Sequence, residues 1–215
     1  IMVYRDIALL EKTGGRLHVA HISSKNSVDL VRQAKSRGLS VTCEVAPHHF
    51  TLTDEAVRGY DTNTKMSPPL RTISDVDAIK KGLKDGTIDI IATDHAPHDI
   101  VDKQVEYQNA CFGIVGLETA LPLSLKLVDE KILSMSELIK KLTSTPAGIF
   151  NLSSGNLSLG NDADILIFNP NFEYSIDISK FHSKSKNSPF DGWKVKGKVI
   201  RTLVRGKTVY PTIEN

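Results

Sequence analysis

The chain contains 215 residues, of which 40% are hydrophobic and 24% are charged, and its formal net charge is +2. These proportions are ordinary for a soluble globular protein, and positive and negative side chains are interleaved, so we predict no nucleic-acid partner. No apolar run approaches the roughly 20 residues that a membrane span needs, which argues against a membrane partner. The two cysteines, Cys43 and Cys111, lie in unrelated contexts and suggest no disulfide framework, which favours a reducing, cytoplasmic setting.

The first residues are predicted to form an amphipathic helix. Apolar side chains recur with helical spacing from Val3 to Leu10, and Gly14 marks the end of the helix. The sequence begins with Ile1 instead of methionine, and no capping residue precedes the helix. We therefore expect the chain to be the carboxyl-terminal part of a longer protein.

Strand and helix patterns then alternate, which is typical of βαβ units with parallel strands. The predicted strands span residues 17–22, 39–45 and 88–92, and the predicted helices span residues 26–37, 54–58, 74–84, 115–129 and 135–143. Ser74 or Asp75 is expected to cap the helix that ends at Lys84. A complete eight-stranded barrel takes about 250 residues. Residues 1–154 are therefore predicted to form part of a (β/α)8 TIM-like barrel in an α/β protein.

The composition changes after residue 154. The remaining segment is rich in Gly, Asn, Asp and Ser, and it contains short β-like runs. These runs span residues 163–168, 194–200, 202–204 and 207–210. We predict that residues 155–215 form a small β-sandwich-type module attached to the barrel part.

An aspartate follows the third predicted strand and gives the clearest indication of function. Asp94 is followed by His95, Pro97 and His98, and the proline prevents a helix from forming there. In α/β barrels, catalytic residues lie at the carboxyl ends of the strands. Carboxylate and imidazole groups bind zinc, and a carboxylate can also carry a proton to a leaving nitrogen. Asp94 is thus a predicted metal ligand and proton carrier in metal-assisted hydrolysis.

The other histidines have weaker indications. His21 ends the first predicted strand. It is either a metal ligand or a buried structural histidine, and the presence of Asp94 at the end of a later strand favours the metal ligand. His98 is placed to contact a substrate anion. His48 and His49 either line the same mouth or brace their loop. Packing is the better interpretation for His18 and His95, and His182 is expected to be a surface residue.

Two loops and the cysteines complete the candidate set. The segment around Ser67 is stiffened by two prolines, which suits either ligand presentation or a plain connector. Phe112 and Gly113 end the long connection over residues 93–113, and long connections in compact domains are usually functional. Cys43 is interpreted as a small buried residue rather than a metal ligand, and Cys111 likewise, although it lies in the active-site loop.

Several of these segments together resemble the carboxyl-terminal half of a class I dihydroorotase, a member of the amidohydrolase superfamily. The match runs in order through nearly the whole chain. Its segments are residues 18–25, 43–49, 68–71, 92–98, 112–120, 163–168 and 183–190.

The resemblance implies a distorted (β/α)8 barrel of the metal-dependent hydrolase type with one or two zinc ions at its mouth. His21 matches a family metal ligand, and Asp94 matches the ligand that serves as general base and then acid. Ser67, His98, Phe112 and Gly113 match substrate contacts. The implied reaction is the reversible cyclisation of N-carbamoyl-L-aspartate to L-dihydroorotate in pyrimidine biosynthesis. The implied partners are this small-molecule substrate, a second copy in a homodimer, or aspartate transcarbamoylase.

Two departures from the family pattern bear on these expectations. Ser67 stands where the family usually has asparagine, and its hydroxyl has a shorter reach. The family's His-x-His pair, its bridging carboxylate and a further histidine ligand have no match here, whereas a catalytic zinc normally takes three protein ligands. Alternative readings are a hydantoinase or allantoinase with the same chemistry, a non-catalytic dihydroorotase-like subunit, or a fragment that is inert by itself.

Overall fold

The computed structural model describes residues 1–211, and a short parallel sheet forms its centre. Strand β1 spans Leu17–Val19, β2 spans Val41–Val45 and β3 spans Ile90–Ile91, in the order β1-β2-β3. Val19 pairs with Cys43, and Val45 pairs with Ile91. Because all three strands run in the same direction, their carboxyl ends open on one edge of the sheet, as the sequence predicts.

Helices connect and cover these strands. Those of the α/β part are α1 (Met2–Thr13), α2 (Lys25–Ser36), α3 (Pro47–Thr51), α4 (Ile73–Lys84), α5 (Ile100–Lys103), α6 (Ala120–Asp129), α7 (Met135–Leu142) and α8 (Ser144–Ile149). Short 3-10 helices lie at Asp54–Gly59, Thr62–Thr64 and Ile178–Lys180. Within residues 1–211, every helix is too short or too polar to span a bilayer.

Helices α2 and α7 begin at capping residues, and α2 also buries one face. Ser24 caps α2, since its hydroxyl accepts the backbone N–H of Ser27, and Ser134 forms a reciprocal capping box with Glu137 at the start of α7. Val28 and Val31 lie one turn apart on α2 and are fully buried against the sheet. The hydrophobic core of the α/β part therefore lies between the sheet and its covering helices.

Some predicted boundaries were wrong. The helix predicted over 115–129 begins only at Ala120, because the backbone N–H groups of Gly116 and Leu117 are accepted by the His95 ring. The cap of α4 is Thr72, and not Ser74 or Asp75. The Asp75 carboxylate instead accepts the backbone N–H of Lys25.

The carboxyl-terminal segment forms a second, antiparallel sheet. Strand β4 spans Ile165–Ser175, β5 spans Lys194–Val204 and β6 spans Lys207–Tyr210, in the order β4-β5-β6. The two runs predicted at 194–200 and 202–204 form one strand, β5. The register of its pairing with β4 shifts between Ile167 and Phe168. Val195 of β5 packs in one cluster with Ile114 and Leu123 of the α/β part. The division into domains after residue 154 stays a prediction.

Candidate active site

Two predicted site residues, His21 and Asp94, meet at the carboxyl edge of the parallel sheet. Nε2 of His21 lies 3.5 Å from Oδ1 of Asp94, and both side chains are partly exposed. Both residues have a left-handed backbone, with φ of 53° and 49°. This conformation is uncommon for residues other than glycine and costs about 1–3 kcal/mol, and such residues cluster at functional sites. The backbone thus turns both side chains away from their strands and towards each other.

A third residue, Glu44 of β2, holds the His21 ring. Its Oε1 lies 3.0 Å from Nδ1 of His21, and its Oε2 lies 3.2 Å from Nε2 of His18. Nδ1 of His21 and the Glu44 carboxylate thus form a close polar contact. Burial alone would raise the pKa of Glu44, but its contacts with the His21 and His18 rings outweigh burial and lower that pKa.

The contact with Glu44 determines what His21 can offer to a ligand. A carboxylate accepts protons, so the proton of a neutral His21 ring lies on Nδ1 and the lone pair lies on Nε2, which faces Asp94. The contact with Glu44 raises the pKa of His21 by more than burial lowers it. A carboxylate behind the ring is the usual support of a metal-binding histidine. Sequence reasoning did not single out Glu44.

His48 is a further imidazole near Asp94. Its Nε2 lies 4.0 Å from Oδ2 of Asp94, its side chain is 2% exposed, and Nε2 has no hydrogen-bond partner in the described structure. Burial, together with the neighbouring His49 and His21, lowers its pKa well below the ordinary value, so the ring is neutral. A buried ring nitrogen without a partner is costly unless a ligand uses it.

His49 has the bracing role that was one of its two predicted readings. Its Nε2 lies 2.9 Å from the carbonyl oxygen of Pro68, which ties it to the loop that carries Ser67. Burial lowers the pKa of His49 to about 4, so this ring is also neutral. The same loop is connected to the segment between β1 and α2, since Arg71 donates to the hydroxyl of Ser23 at 3.3 Å.

The predicted substrate contacts lie on two adjoining loops. Nε2 of His98 lies 2.7 Å from the carbonyl oxygen of Phe112, and the backbone N–H of Gly113 donates to the carbonyl of Lys65 at 2.8 Å. Lys65 is two residues before Ser67, so the loop segments that carry all four predicted contacts are joined by short contacts. Ser67 and Phe112 are exposed, whereas Gly113 is buried.

Gly113 is required at its position for two reasons, which gives a testable prediction. Its φ is +104°, and an added Cβ would lie 2.6 Å from Cβ of Ala96. We expect Gly113→Ala to lower the free energy of unfolding through two contributions. The contact with Ala96 costs about 1–3 kcal/mol from overpacking, and the left-handed backbone of a residue with a Cβ costs roughly 1–2 kcal/mol more.

The matched control for Gly113 is Gly192→Ala. Gly192 has a φ of +74°, and nothing lies within 4 Å of an added Cβ. Urea denaturation of both variants separates the cost of the contact with Ala96 from the cost of the left-handed backbone. An equal decrease in the free energy of unfolding in the two variants would show that the contact with Ala96 is not tight.

The remaining candidates have structural roles. Nδ1 of His18 lies 2.8 Å from the Thr42 hydroxyl, and His182 is exposed. Cys43 is fully buried and its thiol donates to the carbonyl of Thr87. Burial raises the pKa of Cys43 to about 12, so this residue does not supply a thiolate ligand.

The donor set at this edge suits a divalent metal ion. His21 offers Nε2, Asp94 offers its carboxylate and the buried His48 offers an unpartnered Nε2. Neutral imidazole nitrogens and carboxylate oxygens are the ligands of catalytic zinc sites. The geometry therefore defines a candidate metal-dependent hydrolase site.

Comparison with known proteins agrees with this class. The chain belongs to the amidohydrolase family, whose profile matches residues 2–209. The dihydroorotase of Syntrophus aciditrophicus (strain SB) is 54% identical over 98% of this chain, and that of Geobacter metallireducens is 55% identical over 96%. The chain spans 49% of each of these proteins, or about half the length of the curated relatives it matches. The predicted resemblance is thus confirmed.

A solved structure confirms the predicted fold class. The L-hydantoinase (dihydropyrimidinase) from Arthrobacter aurescens superposes with a TM-score of 0.91 and is 34% identical. The alignment covers 96% of this chain and 47% of that chain. The parallel strands and their helices are accordingly part of an amidohydrolase barrel, and a small antiparallel sheet follows them.

Proposed function

We propose that this chain contributes the carboxyl-terminal part of the active site of a dihydroorotase, which interconverts N-carbamoyl-L-aspartate and L-dihydroorotate in pyrimidine biosynthesis. The observation that carries the proposal is the His21–Asp94 pair, turned together by left-handed backbone and supported by Glu44. The identity of 54–55% to dihydroorotases, against 34% to the L-hydantoinase, favours this substrate over other cyclic amides.

We propose zinc as the metal, one or two ions in a complete site, with His21 and Asp94 as ligands. A catalytic zinc normally takes three protein ligands, and the unpartnered Nε2 of His48, 4.0 Å from the Asp94 carboxylate, is a further donor at this site. When bound, the metal supplies Lewis-acid activation of water and stabilises negative charge on the amide oxygen. Glu44 keeps the His21 lone pair directed to the metal.

Asp94 carries the proton in this proposal. In the hydrolytic direction, its carboxylate accepts a proton from the attacking water and then delivers it to the departing ring nitrogen. His98, Phe112, Gly113 and Ser67 line the adjoining loops and are the proposed substrate contacts. In the synthetic direction the same proton movements are reversed.

The other readings predict different substrate profiles. A hydantoinase or allantoinase would share the metal chemistry, whereas a non-catalytic subunit would support a partner such as aspartate transcarbamoylase. A homodimer and a cytoplasmic location remain proposals that follow from the resemblance.

A substrate panel tests these readings on the intact protein that contains this chain. L-dihydroorotate, hydantoin and allantoin are each supplied to the zinc-loaded protein, and ring opening is followed by loss of absorbance. We expect opening of L-dihydroorotate to dominate. Faster opening of hydantoin or allantoin would replace the proposed substrate, and no turnover of any of them would support a non-catalytic subunit.

Ser67 gives a prediction for substrate affinity. The family asparagine at this position has a longer reach and one more hydrogen-bonding group than serine. We expect Ser67→Asn to lower KM for dihydroorotate about five- to tenfold, in keeping with about 1 kcal/mol for one added hydrogen bond. Steady-state kinetics measure the change. Ser183→Asn, in the carboxyl-terminal segment, serves as the control, and an unchanged KM in Ser67→Asn would contradict the assignment.

A further inference from the structure

A second cluster of metal-binding groups lies beyond the His21–Asp94 pair. His98, Asp102 and Cys111 each offer one ligand atom, and these atoms lie within 4.8 Å of one another. The backbone brings the residues together, since the N–H of Cys111 donates to the carbonyl of Asp102 at 3.2 Å. Asp102 belongs to the short helix α5, and Cys111 belongs to the loop that ends at Gly113.

The His98 ring is already set in one tautomer. Its Nε2 lies 2.7 Å from the carbonyl oxygen of Phe112, and a carbonyl can only accept a hydrogen bond. The proton of the neutral ring is therefore on Nε2, and the lone pair is on Nδ1. A backbone carbonyl that fixes one ring nitrogen is a common support for a histidine that binds metal through the other nitrogen.

Cys111 differs from Cys43 in the properties that make a thiol a ligand. Cys111 is only partly buried, whereas Cys43 is fully buried. The ammonium of Lys103 donates to the carbonyls of Cys111 and Gly113 at 2.9 and 3.1 Å, which fixes the backbone of the loop that carries the thiol.

We propose that His98, Asp102 and Cys111 bind a zinc ion at a site separate from the His21–Asp94 pair. Imidazole nitrogen, carboxylate oxygen and thiolate sulfur are all zinc ligands, and three of them leave the fourth tetrahedral position open. The thiolate and the carboxylate together balance the charge of a divalent cation. Because His98 is also a proposed substrate contact, zinc bound here would withdraw it from the substrate, a consequence that rests on the proposed function.

Cadmium provides a direct probe, because a Cd²⁺–thiolate bond gives an ultraviolet charge-transfer band. Cd²⁺ is titrated into the intact protein that contains this chain and into its variants, with circular dichroism to compare their folding. We expect one thiolate band per chain in the parent, the same band in Cys43→Ala and no band in Cys111→Ser.

Substitutions at the other two ligands distinguish a three-ligand metal site from Cd²⁺ binding by the Cys111 thiol alone. We expect Asp102→Asn and His98→Gln each to weaken Cd²⁺ binding at least tenfold. The matched control is Asp99→Asn, which changes a neighbouring acidic residue but keeps a side chain that can cap α5. A band that persists in Cys111→Ser, or that ignores both ligand substitutions, would overturn the proposal.

The kinetic consequence has its own readout. In the intact protein, we expect excess zinc to inhibit dihydroorotate hydrolysis and Cys111→Ser to relieve that inhibition at least tenfold. Equal inhibition of the parent and Cys111→Ser would show that zinc at this cluster does not affect catalysis. Absence of any hydrolysis would count against the proposed function alone, because the cadmium titration needs no activity.

Discussion

Asp94→Asn is expected to lower kcat for dihydroorotate hydrolysis by about 10²- to 10⁴-fold, which is the range that general acid–base catalysis contributes. Asparagine is nearly the same size as aspartate and tolerates the left-handed backbone at φ 49°, so the strand end keeps its shape. The variant loses the negative charge and the ability to accept a proton. The loss of activity then reports on chemistry rather than on folding.

The control for Asp94 is Asp177→Asn, since Asp177 is a partly exposed aspartate whose side chain caps a 3-10 helix, a role that asparagine also fills. Steady-state kinetics in the intact protein and urea denaturation measure activity and stability in parallel. A kcat within threefold of the parent, in a folded Asp94→Asn protein with metal bound, would remove Asp94 from the proposed proton transfer.

Glu44→Gln is expected to weaken metal binding by about 10–100-fold, as loss of the group behind a metal-binding histidine usually does. The Glu44 carboxylate contacts both His21 and His18 through separate oxygens. Glutamine keeps one acceptor but places an NH₂ donor at the other position, so one histidine loses its partner. It also loses the charge that raises the pKa of His21.

The affinity for zinc is measured by competition with a chelator in parent and variant proteins. Glu55→Gln is the matched control, because Glu55 is an exposed residue paired with Arg58. An unchanged zinc affinity in Glu44→Gln would mean that the carboxylate does not support the metal ligand.

Much of the parallel sheet was predictable because the information is local. Apolar runs that end in polar residues mark the strands, and the strand ends at His21 and Asp94 then point to one edge. Glu44 could not be found in this way. Its role depends on the pairing of β1 with β2, in which His18 is opposite Thr42, and no local pattern gives that register.

The position of His48 near Asp94 could not be predicted from the sequence either. A histidine after a proline is compatible with loop bracing or with ligation, and the neighbouring His49 has the bracing contact. The deciding fact is that Nε2 of His48 is buried near Asp94 without a partner, which requires the three-dimensional structure. The wrong helix start has a related cause, since a distant ring, that of His95, takes the backbone donors of Gly116 and Leu117.

Metal reconstitution tests the central claim most directly. The intact protein that contains this chain is stripped of metal, and zinc is added back while hydrolysis of L-dihydroorotate is followed. We predict that activity returns in proportion to bound zinc in the parent but not in His21→Ala or Asp94→Asn. Full activity in the stripped protein, or equal recovery in both variants, would contradict a metal-dependent dihydroorotase site built on His21 and Asp94.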